Sequence, residues 1–163
     1  MRKIPALLIF ALLTASCSTA QSTGSGNGQS AAKVVYGEIG GPGLLSINYD
    51  MRFSNTNDGF GFRAGFGGYS IKDSKLLYVP LGLNYITSKN TRDYFEAGAG
   101  VSIVSNSYGS SDGAFKSTFG FLSLGYRKQP ADGGYFFKAA LMPVFGKGFF
   151  WPYYAGVGFG YAF

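Results

Sequence analysis

From Lys33 onward the chain repeats with a period of two. Near its end, Tyr153, Ala155, Val157, Phe159, Tyr161 and Phe163 alternate with Tyr154, Gly156, Gly158, Gly160 and Ala162. Successive side chains of a β-strand point to opposite faces, so one face of this segment is aromatic and the other nearly bare. The same division recurs upstream. Phe60, Phe62, Ala64 and Phe66 oppose Gly61, Arg63, Gly65 and Gly67. Leu45, Ile47, Tyr49, Met51 and Phe53 oppose Ser46, Asn48, Asp50 and Arg52. Phe95, Ala97, Ala99, Val101 and Ile103 oppose Tyr94, Glu96, Gly98, Gly100 and Ser102.

Turn-type clusters separate these runs at Gly40–Gly43, Asn55–Asp58, Lys72–Ser74, Ser88–Arg92, Asn106–Asp112, Gln129–Gly133 and Gly146–Pro152. Seven connections make eight strands, predicted at 33–39, 44–54, 59–71, 75–87, 93–105, 114–127, 134–145 and 153–163. Even number and regular spacing predict an antiparallel meander. Two strands fit less cleanly. Lys116 shares a face with Leu122, Leu124 and Tyr126, which a bulge near Gly120 would explain. Pro143 lacks a ladder donor and predicts a strand end or bulge.

Which face points inward is decided by room and charge. An eight-stranded barrel has an interior just wide enough for side chains to fill it. Large Phe, Tyr and Leu at every inward position would overfill it, whereas Gly, Ser, Asn and a few long polar chains fit. The polar faces carry Glu38, Asp50 and Glu96 with Arg52, Arg63 and Lys138, a set able to pair in a closed interior. A solvated face would carry far more charge, and the chain is only 13% charged. Apolar outside and polar inside is the pattern of a transmembrane barrel. The predicted fold is therefore all-β: an eight-stranded antiparallel up-and-down transmembrane β-barrel with no open pore. Aromatics at strand ends (Phe149, Phe150, Trp151, Tyr153, Tyr78, Tyr94 and Tyr135) are read as interface girdles.

The N-terminal segment has a different character. Met1-Arg2-Lys3 precedes an apolar run of 12 residues, Ile4 to Ala15, and then small residues to Ala20. This is the layout of a secretory signal peptide, too short to span a bilayer. The predicted division is a signal peptide at 1–20, a flexible Gly/Ser-rich tether at 21–32 and the barrel domain at 33–163. Cleavage before Gln21 removes Cys17. Lipidation of Cys17 stays open, although Leu13 sits one residue early for it. With Arg2 and Lys3 removed from 14 cations, 12 remain against 8 anions, an excess of +4. These cations are scattered, so no nucleic-acid-binding face is expected.

Composition excludes several chemistries. The chain has one Cys and no His, which rules out an internal disulfide framework, a closed Cys/His zinc site and an imidazole base. Phe121–Gly125 (FLSLG) lacks the first Gly of a nucleophile elbow around Ser123. Lys116-Ser117-Thr118 follows no phosphate-cradling Gly loop. No catalytic residue, cofactor or metal site is expected.

Several stretches resemble known proteins. The ending Val157, Phe159, Tyr161, Phe163 is similar to the C-terminal signal by which outer-membrane barrels are recognised for insertion. Val35–Asp50 resembles the first hairpin of small uncharacterised outer-membrane β-barrel proteins of Gram-negative bacteria, and Val79–Tyr85 and Leu124–Arg127 resemble segments of the same family. The resemblance implies the cell outer membrane, contact with outer-membrane lipids and the barrel-insertion machinery, a monomer, and no functional residues. The expected role is structural or interactive and not enzymatic. Two alternatives remain: a lipid-modifying outer-membrane enzyme, and a soluble or lipid-anchored periplasmic barrel holding an apolar ligand.

Overall fold

A computed structural model describes residues 33–71, 74–88, 90, 92–106 and 115–163. The signal and tether segments predicted at 1–20 and 21–32 lie outside the described residues, as do parts of three predicted turns. The strands are β1 (Lys33–Gly40), β2 (Leu45–Arg52), β3 (Gly59–Ile71), β4 (Ser74–Thr87), β5 (Asp93–Asn106), β6 (Phe119–Lys128), β7 (Gly134–Leu141), β8 (Val144–Gly146), β9 (Phe149–Trp151) and β10 (Ala155–Ala162). Neighbours along the chain from β1 to β7 pair antiparallel. β10 then pairs with both β7 and β1, from Val34 opposite Ala162 to Gly40 opposite Gly156, and the sheet closes.

The ten segments occupy eight wall positions. β6 pairs first with β7 and then with β8, so β8 continues the line of β7. The interruption falls at Met142 and Pro143, where the proline cannot donate. The Pro143 carbonyl instead accepts from Leu122 N at 2.9 Å, and Met142 N donates to Tyr154 O at 2.7 Å. The short hairpin of β8 and β9 makes the wall's far end beside β6. The structure is thus the closed eight-stranded antiparallel barrel that the alternation predicts.

Burial is inverted relative to a soluble domain. Arg52, Arg63, Arg127 and Lys138 are among the largest fully buried side chains. Ile39, Leu45, Ile47, Phe60, Phe66, Leu83 and Phe159 are each at least 59% exposed. An exposed apolar surface of that extent marks a membrane-facing wall. No helix among the described residues is long and apolar enough to cross a membrane; the crossing elements are strands.

Three expectations need correction. β6 begins at Phe119, not at 114, so Lys116 lies in the preceding turn and no bulge at Gly120 is needed. From Phe119 the alternation is regular: Phe119, Phe121, Ser123 and Arg127 are buried, while Leu122, Leu124 and Tyr126 are exposed. Tyr78 and Tyr94 are buried in the lumen, not in a girdle, and Phe149 packs into an interior aromatic cluster. Phe150, Trp151, Tyr153 and Tyr135 are exposed. Finally, the lumen holds large aromatics as well as small and polar residues. Inward glycines make room for them, as at Gly158, where a Cβ would lie 2.8 Å from the Tyr36 ring.

Substitutions in β10 separate the two faces. Phe159→Arg, well inside the lipid-facing wall, should destabilise the barrel by roughly 2–4 kcal/mol, and Phe163→Arg at the rim by much less. Gly158→Leu overpacks the lumen and should destabilise by about 1–3 kcal/mol. Urea unfolding in lipid vesicles measures all three. A neutral Phe159→Arg would reverse the faces.

Candidate functional site

The lumen is built in three layers. At the rim carrying the described chain ends, Val34, Tyr36, Phe136 and Ala162 form an apolar layer, with the Tyr36 and Phe136 ring centroids 4.9 Å apart. At the other end Leu76, Tyr78, Phe119, Phe121 and Val144 form a second, joined by Leu44, Phe115, Phe149 and Tyr154. Phe115 stands at its centre, within 5.1–5.7 Å of the Phe119, Phe149, Trp151 and Tyr154 rings. The charged residues lie between.

All six residues of the predicted interior cluster are buried here: Glu38, Asp50, Arg52, Arg63, Glu96 and Lys138. Asp50 on β2 accepts from Arg52, from Arg127 Nη2 at 2.8 Å and from Asn84 Nδ2 at 2.6 Å. Glu96 on β5 accepts from Lys138 and from Arg127 Nη1 at 3.1 Å. Arg127 therefore joins both carboxylates, and its Nε donates to Gln129 Oε1 at 3.0 Å. Glu38 on β1 accepts from Arg63 Nη2 at 2.6 Å, and the same nitrogen donates to Asn48 Oδ1 at 3.0 Å. Asn48 in turn donates to Ser46 Oγ at 2.9 Å.

Arg127 was missed as a site residue. The signal was present, since Leu122, Leu124 and Tyr126 outward put Arg127 inward. A strand begun too early, with Lys116 on the apolar face, obscured it, and three anions against three cations already looked complete. The lumen in fact holds four cations and three anions among these residues. Aromatic faces take up part of the positive charge. The Arg127 guanidinium lies 4.8 Å from the Phe136 ring centroid. That of Arg63 lies 5.8 Å from the Tyr36 centroid and 5.7 Å from that of Phe121, one ring from each apolar layer. Such contacts strengthen when desolvated.

The connection between β1 and β2 folds inward. Gly41, Pro42 and Gly43 form one buried 3₁₀ turn that touches β1, β3, β4, β5 and β10. Gly40 and Gly41 take φ of 76° and 67°, values that disfavour any side chain. Ser102 Oγ donates to Pro42 O at 2.7 Å from across the lumen. Leu44 is held at φ 59° by packing against the second apolar layer, a strained conformation that its surroundings impose.

Chemically, this is an ion-paired core without solvent access. Ser123 Oγ lies 3.4 Å from Glu96 Oε1, but both are buried between the apolar layers. Among the described residues, no group of three or more Asp, Glu, Cys or His is placed to hold a metal. The insertion-signal residues Val157, Phe159, Tyr161 and Phe163 all project outward and are exposed.

No protein-family profile matches the chain, and no curated protein sequence matches it. Solved structures do. The N-terminal β-barrel domain of Pseudomonas aeruginosa OprF superposes with a TM-score of 0.57 at 18% identity, over 84% of this chain and 100% of that one. The Yersinia pestis outer-membrane protein Ail gives 0.51 at 12% identity, over 82% and 98%. This chain has the eight-stranded β-barrel fold of those outer-membrane proteins. The outer-membrane enzyme PagL superposes less well, with a TM-score of 0.43 at 16% identity, over 79% and 96%. At these identities the likeness is one of fold, and the roles of the barrel's residues rest on its own geometry.

Removing one partner of a buried ion pair leaves an uncompensated charge, at about 3–5 kcal/mol. Glu96→Gln should therefore destabilise the barrel by about that much. Glu96→Gln combined with Lys138→Met should recover a substantial part, because Arg127 keeps Asp50. Equilibrium unfolding of the single and double variants measures the coupling. Strict additivity would mean that Glu96 and Lys138 do not act as a pair.

Proposed function

We propose that this chain is an integral monomeric protein of the Gram-negative outer membrane, and that its barrel is a sealed scaffold with a structural or interaction role. The observation that carries this reading is the closed lumen: a desolvated charge layer lies between two apolar layers, with an inward turn at Gly41–Gly43 across the barrel. Each part opposes ion flow differently. The apolar layers offer few ligands to a dehydrating ion, the three carboxylates are already paired with cations, and the turn takes up cross-section. Activity is then displayed on the outer wall and at the rims, which the rigid interior holds in place. The reading assigns no catalytic role, and Ser123 lies where no lipid substrate reaches it. The alternating Val157, Phe159, Tyr161 and Phe163 would be read by the insertion machinery before the barrel closes, while they are still on a free strand.

The purified chain in planar lipid bilayers should show no steady ohmic conductance. Steps as large as those of a general porin would overturn the sealed scaffold.

A further inference from the structure

On the outer wall, β5, β6, β7 and β10 bring two cations beside a row of aromatics. Asp93, Lys128, Phe137 and Phe159 are successive cross-strand partners. Lys128 is the last residue of β6, and Arg92 immediately precedes β5. Both side chains are exposed. Beyond Lys128 the chain leaves the wall for the turn at 129–133, while β7 and β10 continue to the rim with Tyr135 opposite Tyr161. The step between them is a cavity of about 730 Å³, lined by Arg92, Lys128, Gly133, Tyr135, Phe137 and Phe159 among others. Its two charged liners are both cations. Asp93, the cross-strand partner of Lys128, is near both cations but does not line the cavity, and its carboxylate accepts from Tyr126 Oη and from Asn90 Nδ2 at 3.1 Å. Asp132 is exposed in the same turn but does not line the cavity.

The wall directly toward the middle of the barrel is recessed. Ala139 lies between Tyr126 and Val157, and Leu141 lies between Leu124 and Ala155. There the small side chains leave a trough of about 400 Å³ on β6, β7 and β10. Phe137 and Ala139 are two residues apart, so cavity and trough are separated by only about 7 Å of strand rise. Cations and aromatics near the rim, with an apolar trough toward the middle of the barrel, match the headgroup and acyl regions of a membrane lipid.

We infer that this face is a binding site for one anionic phospholipid, with the headgroup phosphate on Arg92 and Lys128 and an acyl chain along the Ala139 trough. The site belongs to the leaflet at the rim that carries both described chain ends, where Lys33 N donates to Phe163 O at 3.1 Å. A phosphodiester suits the pair, since cations beside the membrane surface attract anionic headgroups. A lone phosphate would meet the cations but leave the trough unused.

The test uses the full chain, refolded and delipidated in a nonionic detergent, with bound lipid read by native mass spectrometry. It is titrated with phosphatidylglycerol, with phosphatidylcholine of the same acyl chains, and with glycerol phosphate as competitor. Wild type should hold phosphatidylglycerol in preference to phosphatidylcholine, and glycerol phosphate should not displace it. Arg92→Gln with Lys128→Gln should weaken phosphatidylglycerol binding roughly tenfold or more. Lys147→Gln, an exposed cation at the other end of the barrel, should leave it unchanged. Ala139→Phe should weaken both lipids by filling the trough. All variants change outward residues and are compared after showing native heat-modifiable gel mobility. Equal binding of the two lipids, or an unaffected Arg92/Lys128 double variant, would overturn the site. Displacement by glycerol phosphate would overturn the acyl contribution and leave a simple phosphate site.

Discussion

A strand in hydrocarbon can send its backbone hydrogen bonds only to another strand, because each unsatisfied group there costs several kcal/mol. Everything else in this barrel depends on that. The first and last strands must meet, and they do so along seven residue pairs from Val34–Ala162 to Gly40–Gly156. Closure at eight strands then sets the bore, and the bore decides which side chains fit inside. The glycines opposite Tyr36, Arg52 and Phe121 are the counterpart of those large inward groups, and the broken stretch at Met142–Pro143 is tolerated where Leu122 of β6 and Tyr154 take over the bonds.

Within that bore the charges are arranged by desolvation. An ionised side chain deprived of water needs a counter-charge and filled hydrogen-bonding positions. The carboxylates of Asp50 and Glu96 achieve this by sharing Arg127, and Glu38 by holding Arg63. The aromatic layers do two things at once: they keep water away from the ion pairs and offer ring faces to the surplus cation. Polarity inside and grease outside are thus parts of one solution.

Much of this was legible in the residues. Alternation gave strand number, orientation of faces and all six of the predicted inward charges, because a period of two is a direct image of the pleat. Pro143 announced the break in the seventh wall strand. What stayed hidden was three-dimensional. Phe121 is inward by parity, but its tolerance depends on Gly82 and Gly100 across the sheet, which one strand's pattern does not reveal. Arg127 was lost to a start point misplaced by five residues: 114 against Phe119. The inward turn at Gly41–Gly43 read only as a tight connection, since nothing local tells a turn which way to fold.

Arg127 joins Asp50 from 77 residues away and Glu96 from 31. The first contact links β2 to β6, so no hairpin can make it, whereas the second joins the paired strands β5 and β6. During assembly the carboxylate of Asp50 must wait, hydrated, until the sixth strand arrives and the lumen dries. The charge layer is therefore a late-forming lock with high contact order, slow to reach by loop closure and, once formed, absent from partly opened states. A barrel built this way separates the time of insertion from the time of sealing, and owes its persistence to the slowness of reopening.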